Sequence, residues 1–167
     1  RAQRLLREAG LGPEHLSQVV VKNRRHGVAN PDAMFRREVS VEEVLASRMV
    51  CPPLHLWMLC SPNEGAAAVV LRRDSSPPGR VRLAAVSLRS HLPGSVLGED
   101  SPMCGIDDDD LVAPTSLAAA DAYREAGVGP EDLDVVECQD TDAARELMVW
   151  AELGLCEPGE QAGVLAT

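Results

Sequence analysis

The sequence predicts an α/β fold, a parallel sheet with helices laid over it, from three observations. First, short continuous apolar runs at residues 55–60, 66–71 and 133–137 have the length and composition of strands buried on both faces. Second, segments with helical periodicity follow or flank these runs, each with its own start or stop signal. Third, the second half of the chain alternates strand, helix, strand, helix, the order that a parallel sheet requires.

Taken in order, the first segment is helical. Pro13 suits a first turn, Leu16, Val19, Val20 and Asn23 recur at helical spacing, and Gly27 is positioned to end the helix in the left-handed conformation. Lys22, Arg24, Arg25 and His26 crowd the last turn, where cations complement the carbonyl end of the helix dipole. Asn30-Pro31 breaks the chain, and Ser40-Val41-Glu42-Glu43 is a capping box that predicts a short helix over 41–48. After Pro52-Pro53 come the runs 55–60 and 66–71, parted by the turn cluster Ser61-Pro62-Asn63-Glu64-Gly65. Residues 74–80, with Ser75-Ser76-Pro77-Pro78-Gly79, form the best linker, dividing the chain into 1–73 and 81–167. Residues 81–89 alternate well enough for a strand, and 91–114 read as a long solvated loop. A helix over 115–126 puts Ala119, Ala122, Tyr123 and Ala126 on one face. The strand 133–137 follows, and a helix over 143–153 carries Leu147, Trp150 and Ala151 inward and closes at Gly154.

Composition bounds the function. At 167 residues with 45% hydrophobic and 25% charged, the chain has the balance of one soluble globular domain. Phe35, Trp57, Tyr123 and Trp150 are the aromatic residues, so the core must be built from Ala, Val and Leu. A net charge of −10 argues against a nucleic-acid or anionic-membrane surface, which needs a basic face. The longest clean apolar run, 66–71, is far short of the roughly 20 residues of a membrane span. The five cysteines at 51, 60, 104, 138 and 156 lack the short spacing of a zinc or redox site, and their odd number does not suggest a disulfide framework. Free thiols in a reducing cytoplasm are the plain expectation, with no metal. The run Asp107 to Asp110 lacks the spaced ligands and glycine of a calcium loop and reads as solvated.

The decapeptide that starts at Arg7, Arg-Glu-Ala-Gly-Leu-Gly-Pro-Glu-His-Leu, recurs from Arg124 with eight of ten positions identical. The continuations differ, so a shared helix-ending turn explains the likeness more simply than a duplicated domain.

Three stretches together resemble the sterol-carrier-protein type of the thiolase superfamily. They are Val21-Lys22-Asn23-Arg24-Arg25-His26-Gly27 through Asn30-Pro31 to Met34-Phe35-Arg36, then Asn63-Glu64-Gly65-Ala66-Ala67-Ala68-Val69-Val70-Leu71, and then Ala126-Gly127 through Leu133-Asp134-Val135-Val136-Glu137 to Leu153-Gly154-Leu155-Cys156. The resemblance covers nearly the whole chain, and its order and spacing are what make it specific. It implies a layered helix–sheet sandwich of two similar halves, incomplete here, with 1–73 ending the first half and 81–167 starting the second. It also implies homodimerisation, coenzyme A as part of an acyl-CoA substrate rather than a separate cofactor, and acyl transfer in lipid or sterol side-chain metabolism. The family's nucleophilic Cys and its Gly-His-Pro and Cys-x-Gly motifs have no counterpart among these residues. The chain starts within a helical pattern without Met and stops without a terminating signal, so both ends look cut. A piece of this kind is expected to be inactive alone and to dimerise or aggregate through uncovered sheet edges.

Where thiolases of this type carry His-Asp-x-Phe, the matching residues are Gln139-Asp140-Thr141-Asp142. The segment falls at the carboxyl end of an expected strand, where ligand chemistry gathers in open parallel sheets. A Gln139 amide can donate to a thioester carbonyl and steady an oxyanion, but it cannot shuttle protons as imidazole does. Gln139 and Asp140 are therefore the catalytic candidates. Asp142 is a substrate-contact candidate and equally a helix cap. Arg24 and Arg25 can meet coenzyme A phosphates or simply complement the helix dipole. Cys60 and Ser61 match the region that lines the pantetheine channel in thiolases, although a small buried Cys is also a packing residue. Cys138, one residue before Gln139, should point the other way, into the sheet packing.

Three functions remain open: a thiolase-type acyltransferase, a thiolase-fold aldolase cleaving a β-hydroxyacyl-CoA beside an OB-fold partner subunit, and a non-catalytic acyl-CoA or lipid-transfer scaffold.

Overall fold

A computed structural model describes residues 1–70, 81–90 and 112–166. Six helices occur among them: α1 (Ala2–Glu8), α2 (Pro13–Ala29), α3 (Val41–Ala46), α4 (Pro114–Ala126), α5 (Ala143–Glu152) and α6 (Gln161–Leu165). The sheet is a two-stranded antiparallel ribbon of β1 (Met49–Cys51) and β2 (Leu54–His55), with Met49 opposite His55 and Cys51 opposite Leu54. A 3-10 turn, Leu56–Met58, follows β2 directly.

α2 is the hub, packed by α3, α5 and α6, while α1 and α4 lie against α5. Its buried face is Leu16, Val19 and Val20, the positions that the helical spacing marked. Against it sit Val44, Met58, Ala143, Ala144, Leu147 and Trp150. Trp150 is only 7% exposed and Leu147 is fully buried, as the apolar stripe of α5 predicts.

Local signals produce these helices. Glu43 N–H donates to Ser40 Oγ (3.2 Å) and Ser40 N–H to Glu43 Oε2 (2.8 Å), the reciprocal box that starts α3. The Ser40 N–H bond and the Arg37 guanidinium hold the Glu43 carboxyl below its usual range. Asp142 caps α5, its Oδ1 accepting from Ala144 N–H at 2.9 Å and Arg145 N–H at 3.0 Å. The repeated decapeptide is a repeated turn. Gly10 and Gly127 both adopt left-handed backbone (φ 64° and 71°), which only glycine takes without strain. Two residues on, Gly12 N–H donates to His15 Nδ1 and Gly129 N–H to Asp132 Oδ2, each at 2.9 Å.

Several expectations are corrected. The expected strands 133–137 and 81–89 form no ladder, and the described part of 66–71, residues 66–70, forms none either. These segments are exposed, Val135 by 80% and Val70 by 93%. The apolar composition is that of strands, but a ladder needs a neighbour, and none lies beside them among the described residues. Residues 55–60 are not one strand. They hold the end of β2 and the 3-10 turn, with Met58 packed into the helices. Gly27 does not end its helix, which runs two residues further to Ala29. A Cβ at Gly27 would stand 2.6 Å from the Phe35 carbonyl oxygen, so this glycine serves close approach instead. The expected linker 74–80, Leu71, Cys104 and the run Asp107 to Asp110 lie outside the described residues.

The fold rests on the α2–α5 contact and on local caps. Trp150→Ala should therefore lower unfolding stability by about 3–5 kcal/mol, and Ser40→Ala by about 1 kcal/mol, in urea titrations followed by circular dichroism. Equal losses at the two sites would contradict this ranking.

Candidate functional site

The second half of α2, the turn at 30–35, the 3-10 turn and the first turn of α5 enclose a cleft of about 780 Å³. Its walls are apolar, from Val19, Val20, Phe35, Trp57 and Met58 among others, and its polar lining includes Asn23, Arg24, Ser61, Asn63, Asp140 and Glu146. Ligand clefts commonly fall between about 300 and 1,000 Å³, and a few converging polar groups on apolar walls is their usual composition.

Glu146, Asn23 and Arg24 are each held in place. Glu146 is 3% exposed, and its Oε2 accepts from Asn23 Nδ2 at 2.6 Å while Oε1 pairs with Lys22 Nζ at 2.8 Å. Lys22 also donates to Asn23 Oδ1 (2.5 Å) and stands 5.7 Å from the Trp150 ring centroid. A carboxylate this deep stays in place only with such partners. Arg24 stacks on Phe35, its guanidinium carbon 3.7 Å from the ring centroid, and lies 5.9 Å from Trp57. Burial first, and the Arg37 charge second, push the Arg24 guanidinium below its usual value. Arg37, 5.9 Å from the same Trp57 ring, spends its charge on Glu43 at 2.9 Å. A short bridge ties two cleft walls: Leu59 pairs antiparallel with Asp142, and Cys60 N–H donates to the Thr141 carbonyl at 3.0 Å.

Of the sequence candidates, Arg24, Cys60, Ser61 and Asp140 line this one cleft. Arg25 is exposed on α2 and is not among the lining residues. Asp142 caps α5 at the cleft's edge. Gln139 is exposed and also absent from the lining, and its Oε1 accepts from Arg145 Nε at 3.4 Å. Cys138 is half-buried, and burial and then the Glu146 charge push its thiol up, with Lys22 opposing. Among the described residues no sheet forms at 133–137, so Cys138 does not pack into one.

The sequence reading missed Lys22, Asn23 and Glu146 as a unit. The signal was present: Glu146 stands three residues after Ala143 and four before Trp150, a charged residue on the apolar stripe of α5. Among the described residues, no group of three or more His, Cys, Asp or Glu is placed to hold a metal, and no helix is long and apolar enough to cross a membrane.

Comparison with known proteins places this geometry. Residues 100–167 match the family model described as thiolase C-terminal domain-like. The chain is 38% identical over 164 residues to the benzoylsuccinyl-CoA thiolase subunit BbsB of Thauera aromatica, covering 96% of this chain and 40% of that protein. It is 32% identical over 154 residues to sterol carrier protein 2 of Bos taurus, covering 88% and 27%, and 33% identical over 166 residues to an acetyl-CoA acetyltransferase of Methanothermobacter thermautotrophicus, covering 95% and 40%. A solved structure described as an Ltp2-ChsH2(DUF35) aldolase superposes with a TM-score of 0.72 at 23% identity, over 99% of this chain and 44% of that one, which shows the fold. The chain is thus similar to members of the thiolase superfamily, its sterol-carrier-protein type among them. Its fold is thiolase-like and mixed α/β, with helices and a small sheet, and it spans well under half the length of these relatives.

The four described free thiols differ in surroundings. Cys51 and Cys60 are exposed, whereas burial raises Cys138 and Cys156, the latter helped by Glu160 and Glu157. Iodoacetamide at mildly alkaline pH should label Cys51 and Cys60 first and Cys138 and Cys156 later, because only the thiolate reacts. Peptide mapping that finds Cys138 labelled first would overturn this placement.

Proposed function

We propose that the protein is a thiolase-type acyltransferase acting on acyl-CoA thioesters of lipid or sterol side chains, with its nucleophilic Cys outside this chain. The observation that carries the proposal is the cleft itself. It combines apolar walls for an acyl or pantetheine arm with a stacked, partly desolvated Arg24 whose neighbouring charge, Arg37, is also positive. Such a cation favours a multiply charged anion such as a coenzyme A phosphate. Cys60 and Ser61 line the same cleft, as the channel reading requires, and Asp140 brings a carboxylate to it. Arg25, exposed outside the lining, fits dipole complementation better than phosphate contact. Asp142 fits its capping role, with both backbone bonds on one oxygen.

In this reading Gln139, exposed next to the lining residue Asp140 rather than in the lining itself, donates from its amide nitrogen to the carbonyl of a thioester that reaches beyond the cleft, as negative charge develops there. Homodimerisation, a cytoplasmic location and coenzyme A as part of the substrate belong to the same proposal. A second reading, a thiolase-fold aldolase with an OB-fold partner subunit, draws support from the superposed aldolase structure and from Gln139 standing where related thiolases have His. An aldolase would release a carbonyl product from a β-hydroxyacyl-CoA without acyl transfer to a Cys. A scaffold that only binds acyl-CoA would show neither reaction.

Product analysis with the full-length protein separates these readings. Thiolysis of a 3-ketoacyl-CoA supports the first, retro-aldol cleavage of a β-hydroxyacyl-CoA the second, and binding without turnover the scaffold. Under the first reading, Gln139→Ala should lower kcat about 10²–10³-fold with little change in KM. Arg24→Ala should raise KM while leaving kcat nearly intact, because phosphate contacts serve ground and transition states alike. Unchanged turnover in Gln139→Ala removes Gln139 from the chemistry.

A further inference from the structure

We propose that Arg145 is a positioning residue for Gln139, fixing which end of the side-chain amide is offered to a ligand. This rests on the reading of Gln139 as a hydrogen-bond donor to the substrate.

Arg145 lies in the first turn of α5 and is 8% exposed. Its guanidinium is clamped by Glu152 on the same helix, with Nη1 donating to Oε1 at 2.6 Å and Nη2 to Oε2 at 2.9 Å. A bidentate pair of this kind sets the plane of the fork as well as its position. The remaining contacts leave α5: Nε donates to Gln139 Oε1 at 3.4 Å, and Nη2 to Thr115 Oγ1 of α4 at 3.5 Å. The backbone adds a second tether, since Arg145 N–H donates to Asp142 Oδ1 at 3.0 Å and so anchors the segment that carries Gln139.

A guanidinium donates and never accepts. An amide facing it must turn its oxygen inward, which leaves both Nε2 hydrogens outward. Among the described residues, Gln139 Nε2 makes no hydrogen bond, and the residue is exposed. Without Arg145 the amide can flip and present its oxygen, an acceptor, to a thioester carbonyl that is itself an acceptor. The contact at 3.4 Å is long, so its effect is to choose the orientation rather than to add much stability. The adjacent positive charge also polarises the amide and strengthens its N–H as a donor.

The test is a double-mutant cycle on acyl-CoA turnover in the full-length protein, with Gln139→Ala, Arg145→Met and the pair, and thermal midpoints for each. Arg145→Met should lower kcat about tenfold with KM within about twofold, and should have no further effect on the Gln139→Ala protein. Arg145→Lys, which keeps the charge but loses the fork, should fall between wild type and Arg145→Met. An Arg145→Met loss of equal size in both backgrounds overturns the proposal, as does no loss at all while Gln139→Ala is impaired. If Gln139→Ala itself turns over normally, the donor reading fails and the inference falls with it. Should Arg145→Met not fold, Glu152→Gln loosens the clamp while keeping Arg145. Its kcat loss must then vanish in the Gln139→Ala background, and persistence there overturns the proposal.

Discussion

A carboxylate removed from water must find its partners inside the protein, and here that requirement falls on Glu146. Lys22 and Asn23 answer it from α2, which ties one face of α5 to one turn of α2. With that orientation set, Leu147 and Trp150 turn toward Leu16 and Val19, and Arg24 and Asp140 come to one cleft. The polar contact adds specificity of arrangement, and the apolar packing around it supplies most of the free energy.

In this acidic chain the cleft is lined by one cation, Arg24, and by two carboxylates, Asp140 and Glu146. With a net charge of −10, isolated arginines would find carboxylates easily. Yet Arg24 rests on aromatic faces, with a second arginine, Arg37, acting on its charge. Stacking costs a guanidinium little, because its faces are weakly hydrated while its edges still seek hydrogen bonds. The edges of Arg24 are thus the part of this cleft best suited to an anion.

Legibility in the sequence followed the range of the interactions. The helices and their caps were readable because each depends on residues within one or two turns. Ser40 with Glu43, Pro13 at the start of α2 and the left-handed glycines at 10 and 127 all act locally. The strand expectations at 81–89, 133–137 and the described residues 66–70 failed as ladders because pairing depends on a neighbour that composition does not name. The candidate site was half legible. Family resemblance picked out Arg24, Cys60, Ser61 and Asp140, which the fold brings together across about 116 positions of sequence, from 24 to 140. Glu146 escaped because a single glutamate in an otherwise ordinary amphipathic helix reads as a solvated residue until its partner in α2 is seen. Gln139 was noticed, but its tie to Arg145 depends on a rotamer and not on a pattern.

The close approach at Gly27 carries a different lesson. The Phe35 carbonyl rests where a side chain on that turn of α2 would be, and the Phe35 ring is the platform beneath Arg24. The pose of a cation is thereby slaved to the absence of one methyl group on the helix surface that forms this wall of the cleft. Length changes in the 30–35 loop would be absorbed poorly, because its seat against the helix allows no slack. Selectivity drifting over evolutionary time would then originate at a bare stretch of helix backbone in the cleft wall. Gly27 offers a ligand no side chain to touch, yet it decides where the cation above Phe35 stands.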